Sequence, residues 1–157
     1  MVTAMDLKQA LIIVISGLAG TCGFALLFRM TKKKIIWAVI GGGLTCVVYV
    51  VSCHFFNHEF FQNVFPALFA TAYSELFARL TKSPSTPYIA CSIISLVPGS
   101  KLFYTMYYFI TSDMELFRVT LFQTLRVAAG LSVGIIIISV IIREINYNKF
   151  KNIYDVE

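Results

Sequence analysis

The amino-acid sequence predicts an all-α, polytopic membrane protein of about five transmembrane helices, the fourth broken at Pro98-Gly99. Three observations carry that reading. Of the 157 residues, 58% are hydrophobic and only 13% charged, against roughly 45–50% apolar and about 25% charged in soluble domains. The apolar residues gather in runs long enough to cross a hydrocarbon core, for which about 20 residues per helix are needed. The basic residues fall in alternate gaps between those runs, so the net charge of +5 reads as membrane topology, with no nucleic-acid partner implied.

The runs are residues 7–28, 35–56, 62–80, 88–110 and 119–142, which makes 1–142 one transmembrane domain and 143–157 a short cytoplasmic tail. The first run is longer than the roughly 7–15 apolar residues of a secretory signal, so it is expected to be retained, and Thr21 before Cys22 argues against a lipoprotein cleavage site. Gly17, Gly20 and Gly23 in this span, Gly41 to Gly43 in the second, and Gly130-x-x-x-Gly134 in the fifth predict close helix packing, because small residues let backbones approach. His54 and His58 close the second run with the spacing of a zinc pair. Two ligands are too few, however, and no H-E-x-x-H sequence occurs, so no metal is expected. In the third run Glu75 precedes Arg79 by one turn, which suits an ion pair near the interface or a carboxylate that carries a proton. Cys22, Cys46, Cys53 and Cys91 lie in or at the ends of apolar runs without a C-x-x-C pair, and read as small packing residues.

Charge asymmetry sets the orientation. Arg29, Lys32, Lys33 and Lys34 follow the first span, Arg79 and Lys82 close the third, and Arg143, Lys149 and Lys151 follow the fifth, nine of the thirteen cations. The opposite side holds only Lys8 and Arg118 among cations, with Asp6, Glu59, Asp113 and Glu115. An odd number of crossings is needed to bring every basic cluster to one face, and the positive-inside rule then places the N-terminus outside and the C-terminus in the cytoplasm. A five-helix unit with an odd crossing number is the kind of half that inverted-repeat transporters use in pairs.

The chemistry concentrates in residues 83–105. Pro98 lacks a backbone donor and disfavours helix in the turn before it, and Gly99 admits geometries that other residues resist. Non-helical backbone at membrane depth survives only where protein or a water-lined cavity satisfies it. The segment therefore reads either as a simple proline kink or as a broken helix whose freed amides and the hydroxyls of Ser95, Ser100 and Thr105 meet a polar substrate. Lys101 lies roughly 13 Å inside the fourth span and Arg126 roughly 10 Å inside the fifth. Two cations at one depth imply a shared acidic counter-group or an anionic substrate, unless both snorkel to the outer headgroups.

Several segments together resemble the small, membrane-only component of the threonine/serine exporter family, over nearly the whole length. They are Phe24-Ala25-Leu26-Leu27-Phe28, Ser74-Glu75-Leu76-Phe77-Ala78-Arg79, Pro84-Ser85-Thr86 and, most specific, Ile93-Ile94-Ser95-Leu96-Val97-Pro98-Gly99 followed by Tyr104-Thr105-Met106. The resemblance implies secondary export, without a cofactor or enzymatic reaction, of small amino acids such as threonine and serine or of organic acids such as dicarboxylates. It implies a bacterial inner-membrane location and a larger companion subunit that supplies further helices and a cytoplasmic domain. The candidate substrate residues, from the break, its hydroxyls and the two cations, are Ser95, Pro98, Gly99, Ser100, Lys101, Tyr104, Thr105 and Arg126. The chain departs from the family pattern in having Ser95 where proline is frequent, Cys91-Ser92 in place of an earlier Pro-Gly, and Lys101 where a small residue is expected. A cation there favours a ligand with one or two carboxylates. The alternatives are an assembly subunit that does not itself transport and a metal-dependent intramembrane hydrolase using His54, His58 and Glu75.

Overall fold

The computed structural model describes residues 7–154. Six α-helices follow one another: α1 Leu7–Leu27, α2 Lys32–Phe55, α3 Glu59–Leu80, α4 Thr86–Ile94, α5 Gly99–Ile110 and α6 Met114–Tyr154. Asp6 and the side chains of Lys149 and Lys151, expected on opposite faces of the membrane, lie outside the described residues.

The distribution of residue sizes is that of a protein solvated by lipid. Large apolar side chains point outward, among them Leu27, Phe55 and Ile110, each about three-quarters exposed, while the interior holds alanine, glycine, threonine, serine and cysteine. Lipid tails are as apolar as leucine, so helices associate through close packing and not through burial of large hydrophobes. Buried threonine hydroxyls return to their own helix: Thr21 donates to the Gly17 carbonyl, Thr45 to Gly41 and Thr71 to Ala67, each at 2.8 Å. That satisfies the hydroxyl where no water reaches.

Three helices, α1, α2 and the first 32 residues of α6, are each long and apolar enough to cross a membrane, and α4 with α5 adds a fourth if the bent pair counts as one span. The third predicted run does form a helix of 22 residues, but it falls short of that apolarity. Glu59, Gln62, Asn63, Glu75 and Arg79 all lie on it. Its position explains why polarity is tolerated there: α3 packs against α2, α4 and α6. The last helix does not stop at residue 142 but runs on to Tyr154, 41 residues in all, so most of the predicted tail continues the final helix.

Helix ends follow local rules. Arg29, Lys82 and Ser112 have φ of 50°, 47° and 60° and sit just past α1, α3 and α5. In each case the following amide reaches back five residues, as Met30 does to the Ala25 carbonyl at 3.2 Å and Ser83 to Ala78 at 2.9 Å. This closure ordinarily takes glycine, because a left-handed residue with a Cβ costs roughly 1–2 kcal/mol. Two of the three positions instead carry cations of the basic face.

Close approach explains most of the predicted glycines. A Cβ on Gly130 would stand 2.6 Å from the Phe60 carbonyl oxygen, and one on Gly134 2.6 Å from the Ala67 Cβ. Successive positions of α6 thus meet successive positions of α3, and the two helices run side by side in the same direction. Gly17 abuts Cys46, Gly42 abuts Thr21, and Gly43 abuts Leu18 across the α1–α2 pair, but Gly20 and Gly23 face open space. The α5 backbone approaches only α6 among the described helices, and their hairpin extends roughly 15 Å beyond the start of α3.

Candidate functional site

Proline and its neighbours break the helix where the sequence places the break. α4 ends at Ile94, the Leu96 amide takes the Ile93 carbonyl at 2.8 Å in a tighter turn, and Pro98 adopts φ −77°, ψ 61° as the residue before α5. Pro98 has no amide to continue the ladder, and the two helices diverge by 64°. Gly99 has a negative φ and open space around it, so the proline, not glycine's conformational freedom, accounts for the break.

A cavity of about 330 Å³ lies against this break. Ser95, Leu96, Val97, Pro98, Ser100 and Lys101 form one wall, Ser16 and Gly17 of α1 with Cys46 and Tyr49 of α2 form another, and Glu59, Gln62 and Asn63 come from the first turn of α3. Val127 of α6 completes the lining, and the apolar cluster of Ala67, Leu96, Val127 and Leu131 lies beside it. Across the cavity the Lys101 Nζ meets the Glu59 Oε1 at 2.5 Å, with the two side chains 32% and 29% exposed. The other carboxylate oxygen, Glu59 Oε2, is buried without a hydrogen-bond partner. Gln62 and Asn63 each give one amide donor to a backbone carbonyl, at Phe56 and Glu59, both 2.7 Å away.

Of the eight predicted substrate residues, Ser95, Pro98, Ser100 and Lys101 come together on this cavity. Gly99 sits exposed between two of them. Thr105 is buried one turn further along α5, donating to the Lys101 carbonyl at 2.7 Å and lying 3.4 Å from the Thr124 hydroxyl. Tyr104 is exposed on α5 and stacks on Tyr108. Arg126 is exposed as well, and it lines a separate recess with His58, Glu59, Phe60 and Phe61. Lys101 and Arg126 therefore do not share one cavity. Glu59 is the wall between them, pairing with Lys101 on one side and facing the recess of Arg126 on the other. Glu75 and Arg79 lie toward the far end of α3 and do not line the cavity. His54 and His58 are both exposed, and no three His, Cys, Asp or Glu side chains gather at one point among the described residues.

Residues 13–141 match the family described as Threonine/Serine exporter, ThrE. The chain belongs to the threonine/serine exporter family. No curated protein and no solved structure matches it. Membership makes this a membrane transport protein, in agreement with its outward-facing apolar side chains, and the matched stretch contains every residue of the cavity.

Sequence reading of this exporter family member missed Glu59, Gln62, Asn63, Tyr49, Cys46 and Ser16. Glu59 counts there as an acid of the outer loop, because the third apolar run opens only after it. A signal was present: Glu59, Gln62 and Asn63 stand three and four apart, and so share one face of a helix. Ser16, Cys46 and Tyr49 carried none, since nothing separates them from ordinary packing residues until α1 and α2 are laid beside the break.

Proposed function

We propose that this chain is the small subunit of a secondary transporter that exports small amino acids or organic acids across the bacterial inner membrane, and that the cavity at the α4–α5 break is its substrate path. The single observation that carries this reading is the convergence on one cavity of a broken helix, the hydroxyl-bearing Ser95 and Ser100, and the cation Lys101. A freed backbone and a partly buried charge are both costly in a membrane, and they fall together where discontinuous helices of secondary transporters hold polar substrates. Lys101 takes the substrate carboxylate. Arg126 attracts anions toward Glu59 from the neighbouring recess.

The chain crosses the membrane five times in this reading, with the N-terminus outside and α6 ending in the cytoplasm. A larger companion subunit completes the transporter. The α5–α6 hairpin supports that part: α5 leaves Phe103, Tyr104, Met106, Tyr107 and Phe109 exposed, a surface suited to further helices as well as to lipid. The same surface favours the alternative of an assembly subunit that docks the companion without touching substrate.

Cells expressing the chain with and without its companion, loaded with labelled threonine, serine or a small dicarboxylate, test the proposal. Export that requires both chains and falls when Lys101 is replaced supports a shared substrate path. Full export by the companion alone would assign this chain to assembly or refute the pairing.

A further inference from the structure

The ion pair itself carries information about the ligand. We propose that Glu59 is the specificity-determining residue of the cavity: it holds Lys101 in a pair that a zwitterionic amino acid can open without leaving any charge unpaired. This rests on the proposed role of the cavity as the substrate path.

The cavity holds one cation and one carboxylate, and their contact at 2.5 Å already pairs the two charges. A ligand carboxylate reaches Lys101 only by displacing Glu59 Oε1. With its second oxygen buried and unpartnered, the displaced carboxylate would then have no protein partner, and the partial exposure of the pair offsets only part of that cost. An amino acid supplies the remedy. Its carboxylate takes Lys101 while its ammonium, with three donors, takes both oxygens of Glu59, and the net charge of the cavity stays zero. A monocarboxylate that lacks the ammonium leaves Glu59 stranded. A dicarboxylate sets three carboxylates against one ammonium, since Arg126 lies in the neighbouring recess and is exposed. The other polar groups of α3 do not replace the charge: Gln62 and Asn63 each give one amide donor to a backbone carbonyl, and the donor each retains is neutral. The volume of about 330 Å³ stands at the small end of ligand pockets, as a ligand of few atoms requires.

Serine and glycerate isolate the effect, for they share one skeleton and differ in an ammonium against a hydroxyl. Inside-out vesicles from cells expressing the full chain with its companion would take up labelled serine in the presence of either compound unlabelled. We expect serine to compete about tenfold or more better than glycerate in the native protein. Glu59→Gln should lower that ratio by about tenfold, and Glu59→Asp should keep it. Because the readout is a ratio, differences in protein level cancel. Should Glu59→Gln prove inactive, the native competition decides alone: glycerate competing as well as serine overturns the proposal. An unchanged ratio in an active Glu59→Gln protein overturns it too. Vesicles that take up no labelled serine would count against the transport reading itself, whereas equal competition by the two compounds would leave that reading standing and remove only the role of Glu59.

Discussion

Glu59 and Lys101, 42 positions apart in the chain, meet at 2.5 Å across the cavity. The pair ties the first residue of α3 to the first turn of α5, a helix whose backbone otherwise approaches only α6. It therefore adds a side-chain tie from α5 to the packed α1–α4 group, beside the α3–α6 seam that already joins the hairpin to it. A ligand that opens it changes both the charge balance of the cavity and that tie.

Replacing the lysine tests the first of these consequences. Lys101→Met keeps an apolar stem of similar length and removes the charge, leaving both oxygens of Glu59 without a partner. Hydrogen bonds to charged groups contribute about 1.5–3 kcal/mol, so we expect export to fall by about tenfold or more, with the protein still in the membrane and bound to its companion. Transport kinetics measured beside membrane level decide it: unchanged kinetics would remove Lys101 from the substrate path.

Pro98→Ala restores a backbone donor and removes the ring that forbids a continuous ladder. We expect α4 and α5 to straighten toward one helix and the cavity to narrow. A cysteine introduced at Ser100 should then react with a small thiol reagent several-fold more slowly than in the protein that retains Pro98, and export should fall in parallel. Equal reactivity in the two proteins would show that the break persists without the proline.

Packing at the α3–α6 seam gives a stability test with an internal control. A Cβ at Gly134 would press to 2.6 Å on the Ala67 Cβ and 2.8 Å on the Val64 carbonyl oxygen, whereas one at Gly20 meets nothing within 4 Å. Gly134→Ala should cost about 1–3 kcal/mol through overpacking. Gly20→Ala should be neutral or stabilising by up to about 1 kcal/mol, since alanine loses less freedom in a helix. Thermal unfolding in detergent would show the two midpoints moving apart, and equal midpoints would contradict the close seam.

How much of this was legible in the sequence depends on the range of the interaction involved. The all-helical fold was, because an apolar run of that length is a local property, although the third run forms a helix too polar to count as a span among the described residues. So was the break, because proline acts on its own backbone. The partner of Lys101 was not: its depth announced that a counter-group was needed, but Glu59 sits at the edge of an apolar run and reads as a loop acid until α3 is laid against α5. The placement of Arg126 was not legible either. Matching depth suggested a shared cavity, yet its direction around α6 turns it into a different recess, and depth along a helix says nothing about azimuth. The length of α6 was obscured by its charges, since Arg143 and Glu144 end an apolar run without ending a helix.

The orientation of the chain is the remaining test, and the geometry bears on it directly. A pair of helices bent by 64° is either a broken span or a re-entrant loop, and the two differ in which side receives the α5–α6 turn. α6 runs in the same direction as α3, as the contacts of Gly130 with Phe60 and of Gly134 with Ala67 require. If α3 crosses and ends at the basic face beside Lys82, α6 begins at the opposite one. That favours a broken span and five crossings, with Asp113 and Glu115 on the side away from Arg29, Lys32, Lys33 and Lys34. The positive-inside rule would then make the basic face cytoplasmic. Single cysteines at Asp113 and Lys33, in a protein whose own cysteines have been replaced, should therefore divide cleanly in intact cells. We expect a membrane-impermeant thiol reagent to label position 113 at once and position 33 only after the cells are permeabilised. Labelling of both positions only after permeabilisation would make the α4–α5 pair re-entrant. Labelling of position 33 alone in intact cells would invert the whole topology.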